Sequence, residues 1–263
     1  MMKAETVNAK TMKAVYTHPE SLKRVRMHYC PGCGHGIIHK VLAQCIDELA
    51  IREETIIVAP VGCSVLIYNY YNCDGAESAH GRAQAVSTGL KRALPDRTII
   101  CYQGDGDLAA IGTAESLHAA NRGENFTVIF VNNAVYGMTG GQMAPTTLVG
   151  QRTTTSPFGR DAGTTGEPLR WCELLTQMSG PTYIERVSVH DVKHVMRTKK
   201  AIKKGIEYQR KGLGYSFIEV LSMCPTNWGM TPIQASGWIK EHMVPCFPLD
   251  VFRDRGDEKE AGK

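Results

Sequence analysis

Asp105 and Asn133 each close an apolar run of strand character, and each sits among residues that leave the backbone open. The first run, RTIICYQ at 97–103, leads into Gly104, Asp105, Gly106 and Asp107; the second, FTVIFV at 126–131, leads into Asn132 and Asn133. Between them, residues 108–122 have the length and composition of a crossover helix. Both oxygens therefore leave the carboxyl ends of strands, where open α/β sheets bind ligands. A carboxylate and a carboxamide so placed suit a hard divalent cation that also takes phosphate oxygens.

Thiols form a second set. In CPGC, Pro31 and Gly32 turn the chain tightly, so Cys30 and Cys33 face one centre. Cys63 follows a strand-like run at 55–62, and Cys224 follows another at 215–223. In a parallel sheet those ends share an edge with Asp105 and Asn133, which brings four sulfurs together beside the cation site. Such a set holds structural zinc or an iron–sulfur cluster, and sulfur ligation alone does not separate them. Zinc ribbons usually pair two CxxC knuckles, whereas this chain has one knuckle and two isolated cysteines. Cys73 is the competing ligand. Cys45 and Cys101 read as core thiols, and Cys172 and Cys246 lack neighbouring ligand types.

Gly104, Gly106 and Ala109 also satisfy the relaxed dinucleotide-binding fingerprint. That reading aims a bare carboxylate, Asp105, at a pyrophosphate. It also wants an acid at the end of the next strand, where Asn132 and Asn133 stand. With a cation between Asp105 and the diphosphate the repulsion becomes attraction. The plainest alternative is a glycine-rich turn with a helix-capping Asp.

Gly104, Asp105 and Gly106, with Asn133 28 positions beyond Asp105, resemble the GDG…NN signature of thiamine diphosphate enzymes. That family binds Mg²⁺ through the Asp, the second Asn and the carbonyl two residues on, which implies Asp105, Asn133 and Val135, plus diphosphate oxygens. The strings CPGCGHG, VGCS, HGRA, GDGD and NNAVYGMTGGQ, spread over about residues 27–252, resemble the β subunit of 2-oxoacid:ferredoxin oxidoreductases. The resemblance implies a [4Fe–4S] cluster on Cys30, Cys33, Cys63 and Cys224 beside thiamine diphosphate. The implied reaction is oxidative decarboxylation of a 2-oxoacid, branched-chain or 2-oxoglutarate, to acyl-CoA and CO₂, with electrons passed to ferredoxin. It also implies an α subunit that brings the aminopyrimidine-contacting Glu, with γ and ferredoxin-like δ subunits as further candidates. A non-oxidative thiamine-dependent decarboxylase or lyase, and a zinc-stabilised scaffold subunit, are the alternatives.

Around the cofactor, Gly104 and Gly106 let the main chain approach the diphosphate, and the following helix adds donors and a favourable dipole. Thr139, Gly140, Gly141 and Gln142 offer a second donor set, and Gly34, Ser64 and Asp107 are further contact candidates. The candidate catalytic groups are His35, which is also a cofactor candidate, His80 and Arg82. His80 and Arg82 open a helix, where a cation opposes the dipole and needs an anion: a substrate carboxylate, a phosphate or a partner carboxylate.

These groups need a frame, and strand and helix alternate. Helices are expected at 37–50, 81–94, 108–122, 171–178 and 192–208, and strands at 55–61, 97–103, 126–131, 182–189 and 215–223. The expected fold is α/β, a mainly parallel sheet with helices on both faces and a thiamine diphosphate-binding site. One domain is expected over 27–252, with a peripheral arm at 1–26 and a charged tail at 253–263. The stretch 136–168 is too long for a simple connection and is expected to be ordered near TGGQ and mobile around 153–166.

Composition excludes several classes. No apolar run reaches membrane-spanning length. Nine cysteines without a signal peptide argue for a reducing, cytoplasmic setting. The net charge of +4 is slight, and its main concentration, at 197–211, reads as a solvated helix face, with an acidic partner such as ferredoxin as the alternative. No aromatics interleave with these charges in the manner of a stacking platform, so nucleic-acid binding has little support.

Overall fold

The computed structural model describes residues 16–261. Its strands are β1 (Thr55–Ala59), β2 (Asp74–Glu77), β3 (Thr98–Gly104), β4 (Thr127–Asn132), β5 (Tyr183–Ser188), β6 (Ser216–Leu221) and β7 (Val251–Asp254). They form one sheet in the order β2-β1-β3-β4-β6-β5-β7. Every neighbouring pair is parallel except β5 with β7. The residues of β1, β4, β5 and β6 are buried throughout, as central parallel strands covered on both faces must be.

The helices that frame the site are α1 (Gly34–Glu48), α2 (Ala83–Ala93), α3 (Thr113–Arg122), α4 (Ala162–Thr165), α5 (Trp171–Leu175), α6 (Val192–Arg210), α7 (Pro225–Trp228) and α8 (Pro232–Trp238), and two short ones follow at Val244–Cys246 and Gly256–Ala261. Ile38, Leu42 and Ile46 of α1 and Ile202 and Ile206 of α6 pack with Ile57, Ile100 and Ile218 in one core. Trp171 and Leu175 of α5 and Ala119 and Ala120 of α3 share a second core with Ile99, Val128 and Phe217. Each fully buried large apolar side chain contributes about 1.5–3 kcal/mol. The sheet is thus covered on both faces, as the alternation predicts.

The differences from expectation have local causes. The helix expected at 108–122 is interrupted: residues 106–111 form a wide π turn, and α3 starts at Thr113. A Cβ on Gly112 would lie 2.3 Å from the Asp107 carbonyl oxygen and 2.8 Å from that of Gly81, so the chain passes too close for a regular side-chain-bearing helix. Such π turns recur at functional sites. β2 escapes the sequence reading because it is a short, largely exposed edge strand of Asp, Gly, Ala and Glu. Residues 253 and 254, expected in the charged tail, belong to β7, and Arg253 donates to the Thr176 carbonyl at 2.6 Å.

The basic run is not a bare face. On α6, Lys199 and Lys203 reach Glu48, Arg197 reaches Glu185, Arg210 reaches Glu54 and Lys204 reaches Asp254. The stretch 136–168 has an organising centre in Arg160, buried to 5% exposure. Its guanidinium donates to the carbonyls of Ala144, Pro145, Thr147, Thr165, Gly166 and Glu167. That bonding runs against the expected mobility around 153–166. Among the described residues, no helix is long and apolar enough to cross a membrane.

Candidate active site

The chain leaves β1 toward β2 on one side and leaves β3 toward β4 on the other, so the carboxyl ends of β1 and β3 flank a topological switch point. A cavity of about 260 Å³ opens there. It is lined by residues 61–64 after β1, 104–107 after β3, and Asn133 and residues 136–139 after β4, with His35 and His80.

Asp105, 4% exposed, accepts from Thr146 Oγ1 at 3.1 Å and from the Gly106 N–H at 2.9 Å. Burial pushes its carboxyl up to about 7, against the lowering effect of those bonds. One terminal atom of the Asn133 carboxamide lies 3.0 Å from Asp105 Oδ2 and 2.7 Å from the Val135 carbonyl oxygen. Two arrangements satisfy those separations: the amide nitrogen donates to both oxygens, or its oxygen joins them around a cation. The turn that makes this approach is strained, since Ala134 has φ +57°. Asn132 Oδ1 accepts from the Ala134 N–H at 3.1 Å, and Thr147 Oγ1 donates to the Ala134 carbonyl at 2.7 Å, holding it there. A Cβ on Gly104 would meet nothing within 4 Å, so the floor of the cavity is open at that point.

Asp107 lines the cavity yet is fully engaged. Its Oδ1 accepts from the Val61 N–H at 3.2 Å and the Gly81 N–H at 2.9 Å, and lies 2.6 Å from His80 Nδ1. Its Oδ2 accepts from Gln103 Nε2 at 2.6 Å. The anions facing His80 and Arg82 are supplied by the chain itself, because Arg82 pairs with Glu115. Arg82 lies outside the cavity lining. His35 bonds Tyr102 Oη through Nδ1 at 2.7 Å, and burial pushes its pKa down to about 3, so it stands in the wall as a neutral ring.

Of the TGGQ segment only Thr139 lines the cavity. Gln142 and Thr139 bond each other, and the Gly141 N–H returns to the Tyr136 carbonyl at 2.9 Å, so Gly140, Gly141 and Gln142 close a self-bonded turn. Gly34 also lies outside the lining: its N–H donates to the Met223 carbonyl at 3.2 Å, and a Cβ there would lie 2.1 Å from Ser222 Oγ. Ser64 lines the cavity.

Cys30, Cys33, Cys63 and Cys224 line a second chamber of about 200 Å³. Cys63, Asn133, Gly137 and Met138 border both chambers. Burial, with the neighbouring thiols Cys33 and Cys224, pushes Cys63 up to about 12, and Cys33 likewise reaches about 12. Four thiols lining one chamber could hold a metal ion or cluster, which favours their deprotonated form. Cys73 is not in this lining; its charged neighbours are Asp47, Arg52, Glu53 and Asp74. Three further residues bond to the groups of these linings. Thr146 bonds Asp105, Trp228 Nε1 donates to the Asn133 carbonyl at 3.2 Å, and Asn227 Nδ2 donates to the Gly137 carbonyl at 2.9 Å and lies 3.4 Å from Cys224 Sγ.

Residues 60–220 match the family described as thiamine pyrophosphate enzyme, C-terminal TPP binding domain. The chain is 38% identical to the 2-oxoglutarate synthase subunit KorB of Methanocaldococcus jannaschii, across 89% of this chain and 84% of that protein. The chain belongs to the thiamine-binding subunits of the 2-oxoacid:ferredoxin oxidoreductases. A second member, the ketoisovalerate oxidoreductase subunit VorA of Methanothermobacter thermautotrophicus, is 54% identical over 89% of this chain and 49% of its own length. The chain thus spans about half the length of the VorA proteins it matches. A solved member is the 2-oxoglutarate:ferredoxin oxidoreductase from Magnetococcus marinus with 2-oxoglutarate, coenzyme A and succinyl-CoA bound. It superposes with a TM-score of 0.70 at 27% identity, covering 81% of this chain and 70% of that one.

Proposed function

We propose that this chain binds thiamine diphosphate, Mg²⁺ and one [4Fe–4S] cluster and serves in the CoA-dependent oxidative decarboxylation of a 2-oxoacid, with ferredoxin as electron acceptor. The observation that carries the reading is the wall shared by the two chambers, where Cys63 and Asn133 belong to both linings. Thiamine diphosphate, when bound, supplies the electron sink for decarboxylation, and a [4Fe–4S] cluster takes up single electrons. A shared wall gives electrons a short path between them.

Asp105, Asn133 and Val135 are the Mg²⁺ holders in this reading. Octahedral bonds of about 2.0–2.1 Å place neighbouring oxygens about 3 Å apart, and the separations at Asn133 of 2.7 and 3.0 Å agree with that. Gly104 leaves room for the diphosphate. His80 lines the cavity and is held through Nδ1 by Asp107, which makes it the proton-transfer group of this reading. Cys30, Cys33, Cys63 and Cys224 hold the cluster.

A partner completes the site. The cavity of about 260 Å³ is below the usual range of about 300–1,000 Å³ for ligand pockets. Ile111 and Met138 line it while remaining 51% exposed, an apolar rim suited to a covering α subunit that also brings a carboxyl group. The substrate favoured is a branched-chain 2-oxoacid, because identity to the ketoisovalerate oxidoreductase subunit (54%) exceeds that to the 2-oxoglutarate synthase subunit (38%). The test is an assay of the chain with its co-purified partners against a panel of 2-oxoacids, with CoA and a low-potential dye. Dye reduction with 2-oxoisovalerate above 2-oxoglutarate is expected. Turnover by the purified single chain, or dye reduction that needs no CoA, would overturn the reading.

A further inference from the structure

His190, Asp191 and His194 stand at the turn from β5 into α6, and none of them lines either chamber. Each can offer one ligand atom, and the three atoms lie within 4.8 Å of one another. We propose that this trio binds one divalent ion of the zinc class, with a coordination position left open to solvent.

The ligand chemistry selects the class. Two imidazoles and one carboxylate suit zinc and its borderline neighbours, whereas calcium and magnesium prefer all-oxygen sets. Tetrahedral bonds of about 2.0–2.1 Å separate ligand atoms by about 3.4 Å. His190 Nε2 already lies 3.4 Å from Asp191 Oδ2. His194 Nδ1 lies 2.7 Å from Asp191 Oδ1, a hydrogen-bonding distance that opens slightly when an ion replaces the shared proton.

The surroundings hold the trio in place. Ser188 Oγ sits 2.7 Å from His190 Nδ1, so the ring is fixed with Nε2 toward Asp191, the usual outer support of a metal-binding histidine. Asp191 accepts from the His194 N–H at 2.8 Å and caps α6, which fixes the third ligand relative to the second. The His190 side chain is 6% exposed and provides a rigid base, while Asp191 at 48% and His194 at 25% leave an approach for the ion.

The two rings lie close, with centroids 4.2 Å apart and planes tilted by 31°, so both can reach one ion, with Asp191 as its countercharge.

The site would also brace the thiol chamber. The His190 carbonyl accepts a bond from Ser236 on α8, and Pro232 at the head of α8 packs so tightly on Gly32 that a Cβ there would lie 2.4 Å from Pro232 Cγ. Gly32 is the turn between Cys30 and Cys33. An ion fixing the β5–α6 turn therefore stiffens the helix behind the knuckle.

The experiment is Co²⁺ titration of the anaerobically prepared full chain, followed by displacement with Zn²⁺. Cobalt on the cysteines gives intense thiolate charge transfer, whereas cobalt on this trio gives only weak ligand-field bands, so the two sites are read separately. With excess Mg²⁺ present to fill the oxygen site at Asp105, one thiolate-independent equivalent is expected in the wild type and none in His194→Ala. Ser188→Ala should weaken it about 10- to 100-fold, an effect that a purely capping role for Asp191 would not produce. Asp191→Asn retains the cap and the fold, and should lose Co²⁺ affinity while keeping the helix signal. Thiolate-independent Co²⁺ uptake that is absent in the wild type, or unchanged in both His194→Ala and Asp191→Asn, would overturn the proposal.

Discussion

The Asp107 carboxylate lies 2.6 Å from His80 Nδ1 and accepts from three further donors, so the histidine at the cavity wall is held in one orientation by a side chain with 0% exposure. Val61, Gly81 and Gln103 all donate to Asp107, and the fourth contact is complementary only if His80 Nδ1 carries a proton. If His80 handles a proton in the reaction, His80→Ala in the assembled complex should lower kcat by about 10²-fold or more with little change in thiamine diphosphate binding. Asp107→Asn should lower kcat comparably, because the ring loses its orienting acceptor. Steady-state kinetics beside cofactor titration checks this, and wild-type kcat in both variants would show that the dyad only packs the wall.

Metal and cofactor should depend on Asp105 more than on Asn133. Asp105 is the only charged group of the three proposed Mg²⁺ ligands, whereas Asn133 contributes a neutral oxygen. Asp105→Ala should weaken thiamine diphosphate retention by about 10²-fold or more, near 3 kcal/mol, and Asn133→Ala by less. A chelator added to the wild type should reproduce the Asp105→Ala result. Full cofactor content of Asp105→Ala after gel filtration would refute the ligand assignment.

A buried ionic network links β5 and β6 to the end of β4. Arg186, 0% exposed, donates to Glu219 at 2.8 Å and to Glu173 at 2.5 Å, and Glu219 accepts from Asn132 Nδ2 at 2.8 Å. Glu219→Ala leaves Arg186 with Glu173 alone and strips Asn132 of its buried acceptor, so it should cost about 3 kcal/mol in urea unfolding. It also frees Asn132, which holds the strained Ala134, so thiamine diphosphate binding should fall with it. Burial raises the Glu173 carboxyl, but its bond to Arg186 outweighs this and the net shift is downward. Because the folded value lies below the unfolded one, its contribution is present above the ordinary carboxylate range and is lost as pH falls through the folded value. Acid unfolding that starts at the same pH in Glu173→Gln and wild type would contradict this.

What the residues disclose in advance follows from what is local. The parallel frame and the shared edge of Asp105, Asn133, Cys63 and Cys224 are legible because strand ends of one parallel sheet converge whatever lies between them. Thr146 is not legible, since a distant loop returns it to Asp105 and no spacing encodes that return, whereas Asn227 and Trp228 follow Cys224 by three and four positions but are not ligand types that would mark them. The TGGQ glycines read as free donors, yet the turn consumes its own bonds between Tyr136 and Gln142. β2 and β7 are short and polar at the sheet edges, where the apolar signal that marks central strands is absent.

The last prediction separates the two cysteines that compete for one place. Cys63 borders both chambers, and a Cβ on Gly137 would lie 3.0 Å from its sulfur, so its position is tightly enclosed. Cys73 sits among Asp47, Arg52 and Asp74 and is absent from the lining that joins Cys30, Cys33 and Cys224. A thiolate bound to iron needs three sulfur neighbours around one centre. Cys63→Ser should therefore lose iron and acid-labile sulfide together, whereas Cys73→Ser should retain both and lose only modest packing energy, about 1 kcal/mol. Anaerobic preparation with iron, sulfide and zinc measured on each variant distinguishes the possibilities. Loss of the cluster in Cys73→Ser with retention in Cys63→Ser would reassign the fourth ligand, and zinc without sulfide in the wild type would remove the cluster from the proposed function altogether.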